Sequence, residues 1–406
     1  MKFSKYNHLF NSDGKNVLYN SMTKAFAKVD ESMAELDCSY FDEATQTILK
    51  ENGFAIEENF DETQYLKYIF NQYYFDNGSL NVVMVPSLAC NFNCSYCFEK
   101  GKHVENQKAY FDIFERYANK HLSRYRSVQF SLFGGEPLLF IDEFYQLISR
   151  LQKLVPNIST SIVTNGSLFD KTVLKKLVLM NCMSIQITID GYEKAHDKYR
   201  HYANGEPSYK DIIENINMIL AECNKDIKFI LRINLNNVTV ENVKTTLSDI
   251  HSPYRNNVNV LFRPIYSTDQ YKEINENKLY DLKKYYDLAS GMNYKIVKNN
   301  YLYKTCEACG GDNFFYLMPD LSMWKCINDL DHKEACIGRI AENGDAKFNI
   351  ENLVRWNKLA DCFQDGRCVN CHKLPDCFGG CIFYNSKNKK RLCKDFEMAS
   401  LPYMYK

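Results

Sequence analysis

A chain of 406 residues predicts two to three domains at roughly 150 residues each, with length enough for a sizeable buried core. Its 50 Lys+Arg are matched by 50 Asp+Glu, so the basic excess used to bind a phosphate backbone is missing and a nucleic-acid partner is disfavoured. Hydrophobic residues make up 45%, with 29 Tyr and 26 Phe, which excludes a disordered chain. The opening run from Met1 to His8 has no apolar h-region, and no stretch approaches the roughly 18 apolar residues of a membrane span. The expectation is a cytoplasmic protein with no membrane partner.

In chain order, alternating runs at Tyr6 to Phe10 and Asn16 to Tyr19 flank Asn11-Ser12-Asp13-Gly14, and Asp-Gly in that position predicts a hairpin. Helices are predicted over Met22 to Val29, Asp42 to Lys50 and Glu62 to Tyr74, the last with Asp61 as its N-cap. Gly53 to Ile56 reads as a third strand, so residues 1–80 have the content of a small winged-helix-like unit. From Asn81 the pattern changes. Strands are predicted at Val82–Val85, Val128–Phe133, Ser159–Thr164, Ser184–Ile189, Phe229–Asn234 and Val258–Arg263, separated by helical stretches around 105–121, 142–153, 169–179, 208–223 and 241–250. Such alternation predicts βα units on a parallel sheet or barrel, with its active site at the carboxyl ends of the strands. A helix near 273–290 leads to a cysteine-rich tail with little regular periodicity.

Sixteen cysteines in a chain without an export signal read as metal ligands rather than as a disulfide framework. Cys90-x3-Cys94-x2-Cys97 directly follows the first core strand. Three thiolates on one loop can hold three irons of a 4Fe-4S cube and leave the fourth open to a small chelating molecule. Zinc is the alternative, but a closed structural zinc site takes four ligands and His103 is the only obvious local fourth. The second strand ends in Ser131-Leu132-Phe133-Gly134-Gly135-Glu136-Pro137, where paired glycines admit close backbone approach and a Glu can accept from an ammonium group. The third ends in Thr164-Asn165-Gly166 and the fourth in Thr188-Ile189-Asp190-Gly191. Four successive strands thus finish in polar or Gly-rich loops at one place.

Together these motifs, with His196-Asp197-Lys198-Tyr199-Arg200 after the Asp-Gly, resemble the radical S-adenosylmethionine (SAM) superfamily over about residues 80 to 265. The resemblance implies a partial (β/α)6 barrel of the TIM type. It also implies that Cys90, Cys94 and Cys97 ligate the cluster, with SAM on its open iron and reductively cleaved there to a 5'-deoxyadenosyl radical. By the same resemblance Gly134, Gly135, Glu136 and Pro137 receive the SAM ammonium, Phe98 lies beside the adenine, and Thr164, Asn165, Thr188 and Arg232 complete the SAM site. The alternative for Arg232 is a pairing with a core carboxylate.

The tail offers an independent match. Cys368-x2-Cys371-x5-Cys377-x3-Cys381 and Cys393, preceded by Cys309 and Cys326 around Met318-Pro319-Asp320, resemble the SPASM domain. Leu321 stands where that family usually has Gly, so the turn is expected to be made differently. The resemblance implies two auxiliary 4Fe-4S clusters, one on Cys306, Cys309, Cys326 and Cys381 and the other on Cys368, Cys371, Cys377 and Cys393, with a treble-clef-like zinc module as the alternative. Cys38, Cys182, Cys223, Cys336 and Cys362 are left as small core hydrophobes. The domains implied are 1–80 for recognition, 81–298 for the radical SAM barrel and 299–406 for the C-terminal iron-sulfur SPASM unit.

Sulfatase-maturing enzymes combine the same two parts, but they begin close to the triplet and place an acid after the equivalent of Cys326, where this chain has Ile327. Peptide maturases of ribosomally made peptides commonly begin with a winged-helix-like recognition element, which residues 1–80 resemble. The expectation is a radical SAM peptide maturase that binds the leader of a precursor peptide by strand addition, at an edge from Gly53 to Glu57, and installs a cross-link. A thioether is the first expectation and a carbon-carbon bond the next. Formylglycine formation from Cys or Ser, or a non-enzymatic metal-binding role, are the alternatives. An electron donor such as flavodoxin or ferredoxin is implied. No general base is identifiable; Asp312, Asp320, Asp329 and Asp376 all lie in the tail.

Overall fold

A computed structural model describes residues 1–12, 14–30, 37–76, 78–99, 109–223, 226–235, 238–264, 282–296, 311, 313–330, 332–388 and 391. The chain divides into two compact units, one of residues 1–76, 298–313 and 351–406 and the other of 77–297 and 314–350. No helix among the described residues is long and apolar enough to cross a membrane.

The first unit opens with β1 (Lys2–Phe3), β2 (Asn7–Ser12), β3 (Lys15–Asn20) and β4 (Phe26–Lys28), followed by α1 (Glu43–Glu51), β5 (Ala55–Ile56) and α2 (Glu62–Tyr74). The predicted hairpin is β2 and β3, paired from Asn7↔Asn20 to Ser12↔Lys15. Asp61 caps α2 by accepting the Thr63 and Gln64 amides, both at 3.0 Å, a contribution of about 1 kcal/mol. The helix predicted over Met22 to Val29 is not formed. Instead the fully buried Asn20 side chain accepts the Met22 and Thr23 amides, Lys24 takes φ +63°, and β4 returns to pair with β3. A side chain that captures backbone donors offers a turn in competition with the helix. The strand at Gly53 to Ile56 exists as β5, but it is paired with β1, and Phe54, Ala55 and Ile56 are buried.

Helix α2 also has a partner within this unit. Leu66 packs with Tyr6, Cys362, Cys368 and Leu374, and Phe70 meets Phe363 and Phe378 at 5.5 and 5.4 Å. Lys24 pairs with Asp376, whose carboxylate also accepts the Tyr19 hydroxyl at 3.3 Å. The hairpin and the second cysteine block therefore share one core.

The second unit is built on β6 (Ser79–Met84), β7 (Ser127–Leu132), β8 (Ile158–Thr164), β9 (Cys182–Ile189), β10 (Lys228–Leu235) and β11 (Val258–Pro264), joined by parallel pairing in chain order. Between them run α3 (Tyr110–His121), α4 (Ile141–Leu151), α5 (Lys171–Leu179), α6 (Glu193–Tyr199), α7 (Tyr209–Glu222), α8 (Val240–Ser248) and, after β11, α9 (Leu282–Gly291). This is the expected partial (β/α)6 barrel; α6 alone among these helices was not anticipated. Strand alternation separates its faces: Ile185, Ile187 and Ile189 of β9 and Phe229, Leu231 and Ile233 of β10 are buried, while Gln186, Thr188, Ile230 and Arg232 occupy the other face.

Four further strands, β13 (Phe314–Leu317), β14 (Ser322–Trp324), β15 (Cys336–Ile340) and β16 (Ala346–Phe348), extend this sheet past β6, and β12 (Lys295–Ile296) extends it past β11. The tail was not expected to contribute strands. Parallel pairing of β13 with β6, Leu317↔Met84, joins it to the barrel, and the buried Tyr110 hydroxyl donates to the Leu317 carbonyl at 2.9 Å. The β13–β14 turn is not made differently after all: Leu321 adopts φ +66°, the left-handed region glycine favours, at a cost of about 1–2 kcal/mol. Its side chain is buried, which offsets the strain. Leu321→Ala is expected to lower stability by about 2–4 kcal/mol and Leu321→Gly by about 1 kcal/mol less, since glycine relieves the backbone; urea midpoints of the two variants check the order.

Candidate functional site

The loops at the carboxyl ends of β6 to β9 are fastened to one another by backbone and side-chain hydrogen bonds. After β6 the segment from Ser87 to Ala89 runs against the glycine pair: the Gly135 amide donates to the Ser87 carbonyl at 3.2 Å and the Glu136 amide to the Ala89 carbonyl at 2.9 Å. A Cβ on Gly135 would lie 2.1 Å from the Ala89 oxygen, and one on Gly134, which has φ +123°, would lie 2.6 Å from the Ser87 oxygen. Both glycines are therefore required by close approach, and what approaches is the chain that leads into Cys90.

Glu136 is 1% exposed and serves as a junction. Its carboxylate accepts the Thr164 hydroxyl at 2.6 Å, the Asn165 amide at 2.8 Å and the Leu138 amide at 3.0 Å. Burial pushes its pKa up, and these three bonds pull it back. It caps the short turn Pro137–Phe140 and binds the end of β7 to the end of β8. Asn165 in turn donates to the Asn91 side chain at 2.8 Å, and Asn91 donates to Ser167 at 2.9 Å. Thr164 and Asn165 thus reach the cysteine loop through Asn91, a residue the sequence reading did not single out.

The cysteine loop is held on its other side by residues 199–203. Asn93 donates to the His201 carbonyl at 3.0 Å, Ser95 to Tyr199 at 3.1 Å, and Ala203 back to Asn91 at 2.8 Å. Below this lies a buried polar group. Asp190, 1% exposed, accepts the Asn234 amide at 2.9 Å, and Asn234 also donates to the Tyr96 hydroxyl at 3.3 Å. The fully buried His196 accepts the Asp190 amide at Nδ1 and meets the Ser208 hydroxyl through Nε2 at 3.1 Å. Burial holds that imidazole well below its ordinary pKa, so it is neutral. Arg200 donates to the Tyr96 hydroxyl at 3.2 Å and stands 4.0 Å from Asp190. Tyr96, Arg200 and Asn234 were not anticipated as site residues; the motif from His196 to Arg200 was the available signal.

The inward faces of the strands are polar here. Ser131 and Ser161 share a hydrogen bond of 2.6 Å, Thr188 and Arg232 are in register on β9 and β10, and the Arg232 Nε donates to Asn234 at 3.0 Å. Arg232 pairs with no core carboxylate among the described residues; burial and the neighbouring Arg263 depress its pKa. It is a desolvated cation suited to a carboxylate ligand. Phe98 is 39% exposed and Pro137 is buried at the first position of its turn.

Burial pushes the Cys90 thiol up to about 11 and raises Cys94, which Arg200 draws back, so metal binding must displace protons. Among the described residues no three His, Cys, Asp or Glu side chains surround a point that would hold a single metal ion. A four-iron cube takes one thiolate per iron, so its ligands stand apart, and three partly buried thiols on one fastened loop fit that donor set.

In the tail, Cys326 is buried at the start of the turn Ile327–Asp329 in the barrel unit. In the other unit Cys368 and Cys377 lie in the one-turn helices Gly366–Val369 and Leu374–Cys377, Cys371 lies between them, and Phe378, Gly379 and Gly380, all with positive φ, separate Cys377 from Cys381. Cys306, Cys309, Cys393, His103 and Asp312 lie outside the described residues. Cys38, Cys182 and Cys362 are buried, whereas Cys223 and Cys336 are only partly so. Asp320 pairs with Arg339 at 2.6 Å, Asp329 with His332 at 2.6 Å, and Asp376 with Lys24. Ile327 packs into an apolar cluster with Val85 and Met318.

Residues 84–250 match the family model of the Radical SAM superfamily. The chain is 24% identical over 360 residues to a cysteine-type anaerobic sulfatase-maturating enzyme of Clostridium novyi, spanning 79% of this chain and 94% of that protein. It is 25% identical over 359 residues to the radical SAM cyclopropyl synthase TigE of Paramaledivibacter caminithermalis, spanning 74% and 67%. Among solved structures, Streptococcus suis SuiB bound to its precursor peptide SuiA superposes with a TM-score of 0.54 at 15% identity, over 96% of this chain and 97% of that one. The structure of anSMEcpe with bound AdoMet and the Cp18Cys peptide gives 0.56 at 18% identity, over 80% and 94%.

Proposed function

From the premise that this chain is a radical SAM superfamily enzyme of the maturase type, we propose that it binds the leader of a ribosomally made precursor peptide and cross-links the core peptide. The observation that carries the reading is the hairpin and helix element of the first 76 residues. The likeness to SuiB runs over 96% of the chain, against 80% for anSMEcpe, and supports the same reading. Ile327, buried where sulfatase maturases are expected to place an acid, argues against the formylglycine alternative.

Cys90, Cys94 and Cys97 would hold the SAM-binding cluster. Gly134, Gly135, Glu136, Pro137, Phe98, Thr164, Asn165, Thr188 and Arg232 would shape the SAM site, with Arg232 facing the carboxylate. When bound, the cluster and SAM supply a 5'-deoxyadenosyl radical on one-electron reduction. The chain's own part is to orient the substrate and exclude water, because a primary carbon radical attacks whatever it meets. Two auxiliary clusters, on Cys306, Cys309, Cys326 and Cys381 and on Cys368, Cys371, Cys377 and Cys393, would take the electron released on ring closure, and a flavodoxin or ferredoxin would supply the first one.

The docking edge we assign to the leader is β4 rather than β5, a strand of two buried residues that is already paired with β1 on one side. β4 ends the three-stranded sheet. Its bonds to β3 alternate, with Val29 donating to Asn16 at 3.0 Å, so the Lys28 amide falls on the side away from β3. Lys28→Pro removes that donor without touching the ladder. It is expected to weaken leader binding roughly tenfold, as for one hydrogen bond of about 1–1.5 kcal/mol, with the urea midpoint nearly unchanged. Fluorescence anisotropy with a labelled leader measures this, and wild-type affinity would move the docking site elsewhere.

The deciding experiment for the function is mass analysis of a precursor peptide co-expressed with the enzyme. A loss of two hydrogens in the core peptide is expected. An unmodified peptide from an enzyme that still releases 5'-deoxyadenosine overturns the cross-linking reading. Formylglycine in a co-expressed sulfatase would support the second reading, which the alignment with the Clostridium novyi enzyme favours.

A further inference from the structure

The stretch that carries Cys368, Cys371 and Cys377 has little regular structure of its own. It consists of the turn Cys362–Gln364 and the one-turn helices Gly366–Val369 and Leu374–Cys377, and pieces this short fall far below the roughly 12 residues at which a helix begins to stand alone in water. Its order comes from what it packs on and from what its thiols bind. Asp376, directly ahead of Cys377, is 9% exposed. Among the described residues its carboxylate has two side-chain partners, both from the N-terminal hairpin: Lys24 pairs with it, and the Tyr19 hydroxyl donates to it at 3.3 Å. Both partners bear on β4. Lys24 closes the tight connection from β3, with φ +63°, its amide donating to the Asn20 carbonyl at 2.8 Å and its ammonium to the Ser21 carbonyl at 2.6 Å; β4 starts two residues later. Tyr19 stacks on Phe26, the first residue of β4, with ring centroids 4.7 Å apart. A second grip lies beside Cys371, where the Ser21 hydroxyl is 3.2 Å from the His372 carbonyl.

We propose that Asp376 is a positioning residue that, through Lys24 and Tyr19, holds β4 in place for the leader, and that it does so fully only when the cysteine stretch carries its metal. The inference rests on the leader-binding reading and on β4 as the docking edge. Asp376 touches neither the leader nor the reacting atoms. Removing its charge leaves Lys24 without its carboxylate in a turn that is already strained, so the start of β4 is free to shift. Emptying the thiols loosens the one-turn pieces that fix Asp376 and has the same result. Linkage then runs in both directions: whatever the bound metal adds to leader affinity, the leader adds to metal affinity.

The test uses the full chain, reconstituted anaerobically, as wild type, Asp376→Asn, Lys24→Met, the two combined, and Cys371→Ala. Affinity for the labelled leader is read by anisotropy, iron is counted per chain, and amide hydrogen exchange is followed over residues 15–28. Asp376→Asn, nearly unchanged in shape, is expected to weaken leader binding about fivefold or more, the lower end of a coupling between sites, with iron retained and exchange in residues 15–28 faster. Lys24→Met is expected to do the same, and the combined variant to be no worse than the weaker single one, as for two residues acting through one contact. Cys371→Ala, with less iron, is expected to lose leader affinity by a similar factor, while replacing Cys90, Cys94 and Cys97 leaves it unchanged. In that triple variant excess leader should also help the tail retain iron against a chelator, and adding Asp376→Asn should remove the protection, a result that a merely structural role would not give. Wild-type affinity in Asp376→Asn, or in Cys371→Ala at reduced iron, overturns the proposal. If Asp376→Asn fails to load iron, Lys24→Met decides: weaker binding at full iron supports the proposal and wild-type affinity refutes it. Wild-type affinity in Lys28→Pro would instead remove β4 as the edge, and this proposal with it; a wild-type chain that binds no leader would overturn the leader reading itself.

Discussion

Replacing Cys90, Cys94 and Cys97 together by alanine is expected to abolish 5'-deoxyadenosine formation completely, while iron bound elsewhere in the chain remains. The argument is local. The loop is fastened through Asn91 to Asn165, through its backbone to residues 199–203, and through Tyr96 to Asn234. None of these bonds uses a cysteine sulfur as its main partner, so the loop keeps its place when the thiols are removed. What is lost is the soft donor set, and imidazole or carboxylate groups do not replace it, since no three of them converge among the described residues. Chromatography of the nucleoside products, with iron counted per chain, reads both halves of the expectation. Deoxyadenosine formed by the triple variant would remove the basis of the assignment.

Gly135→Ala is expected to be nearly as damaging, although it removes no ligand. The added methyl would sit 2.1 Å from the Ala89 oxygen, 2.5 Å from its carbonyl carbon and 2.6 Å from the Leu88 oxygen. All three are backbone atoms, so no side chain can swing aside. Relief requires the segment from Leu88 to Ala89 to move, which strains or breaks the bonds from Gly135 to Ser87 and from Glu136 to Ala89. The expected loss is about 2–4 kcal/mol of stability. Because the displaced segment leads into Cys90, the cluster at the triplet should load poorly even at temperatures where the chain is folded. Iron and sulfide content of the anaerobically reconstituted variant, beside its urea midpoint, tests both effects; full loading at wild-type stability would show that the segment yields freely.

The barrel was legible because its signals are local. Apolar runs of strand length with bounded ends placed β6 to β11 within a few residues, since each of these strands is covered by helices and carries its apolar pattern in its own sequence. The Asp61 cap and the spacing of Cys90, Cys94 and Cys97 are equally local. Residues 22–29 misled because their composition suits a helix, and only the Asn20 side chain, buried among Ser4, Asn7 and Gly53, shows why a turn prevails. Arg200 was visible as part of a motif, but its relation to Tyr96 and Asp190 was not.

The amino-acid sequence by itself determined the strand and helix periods, the soft donor set and the balance of charge, all of which are properties of short segments and composition. Tertiary structure alone decided that β13 would pair with β6 and draw residues 314–350 into the barrel sheet, that β1 would take one edge of β5, and that Arg200 would meet Tyr96 and Phe92 of the cysteine loop. The physical reason is that an open strand edge or a buried charge takes its partner by proximity in the folded chain, and no pattern within a segment encodes which distant segment will arrive there.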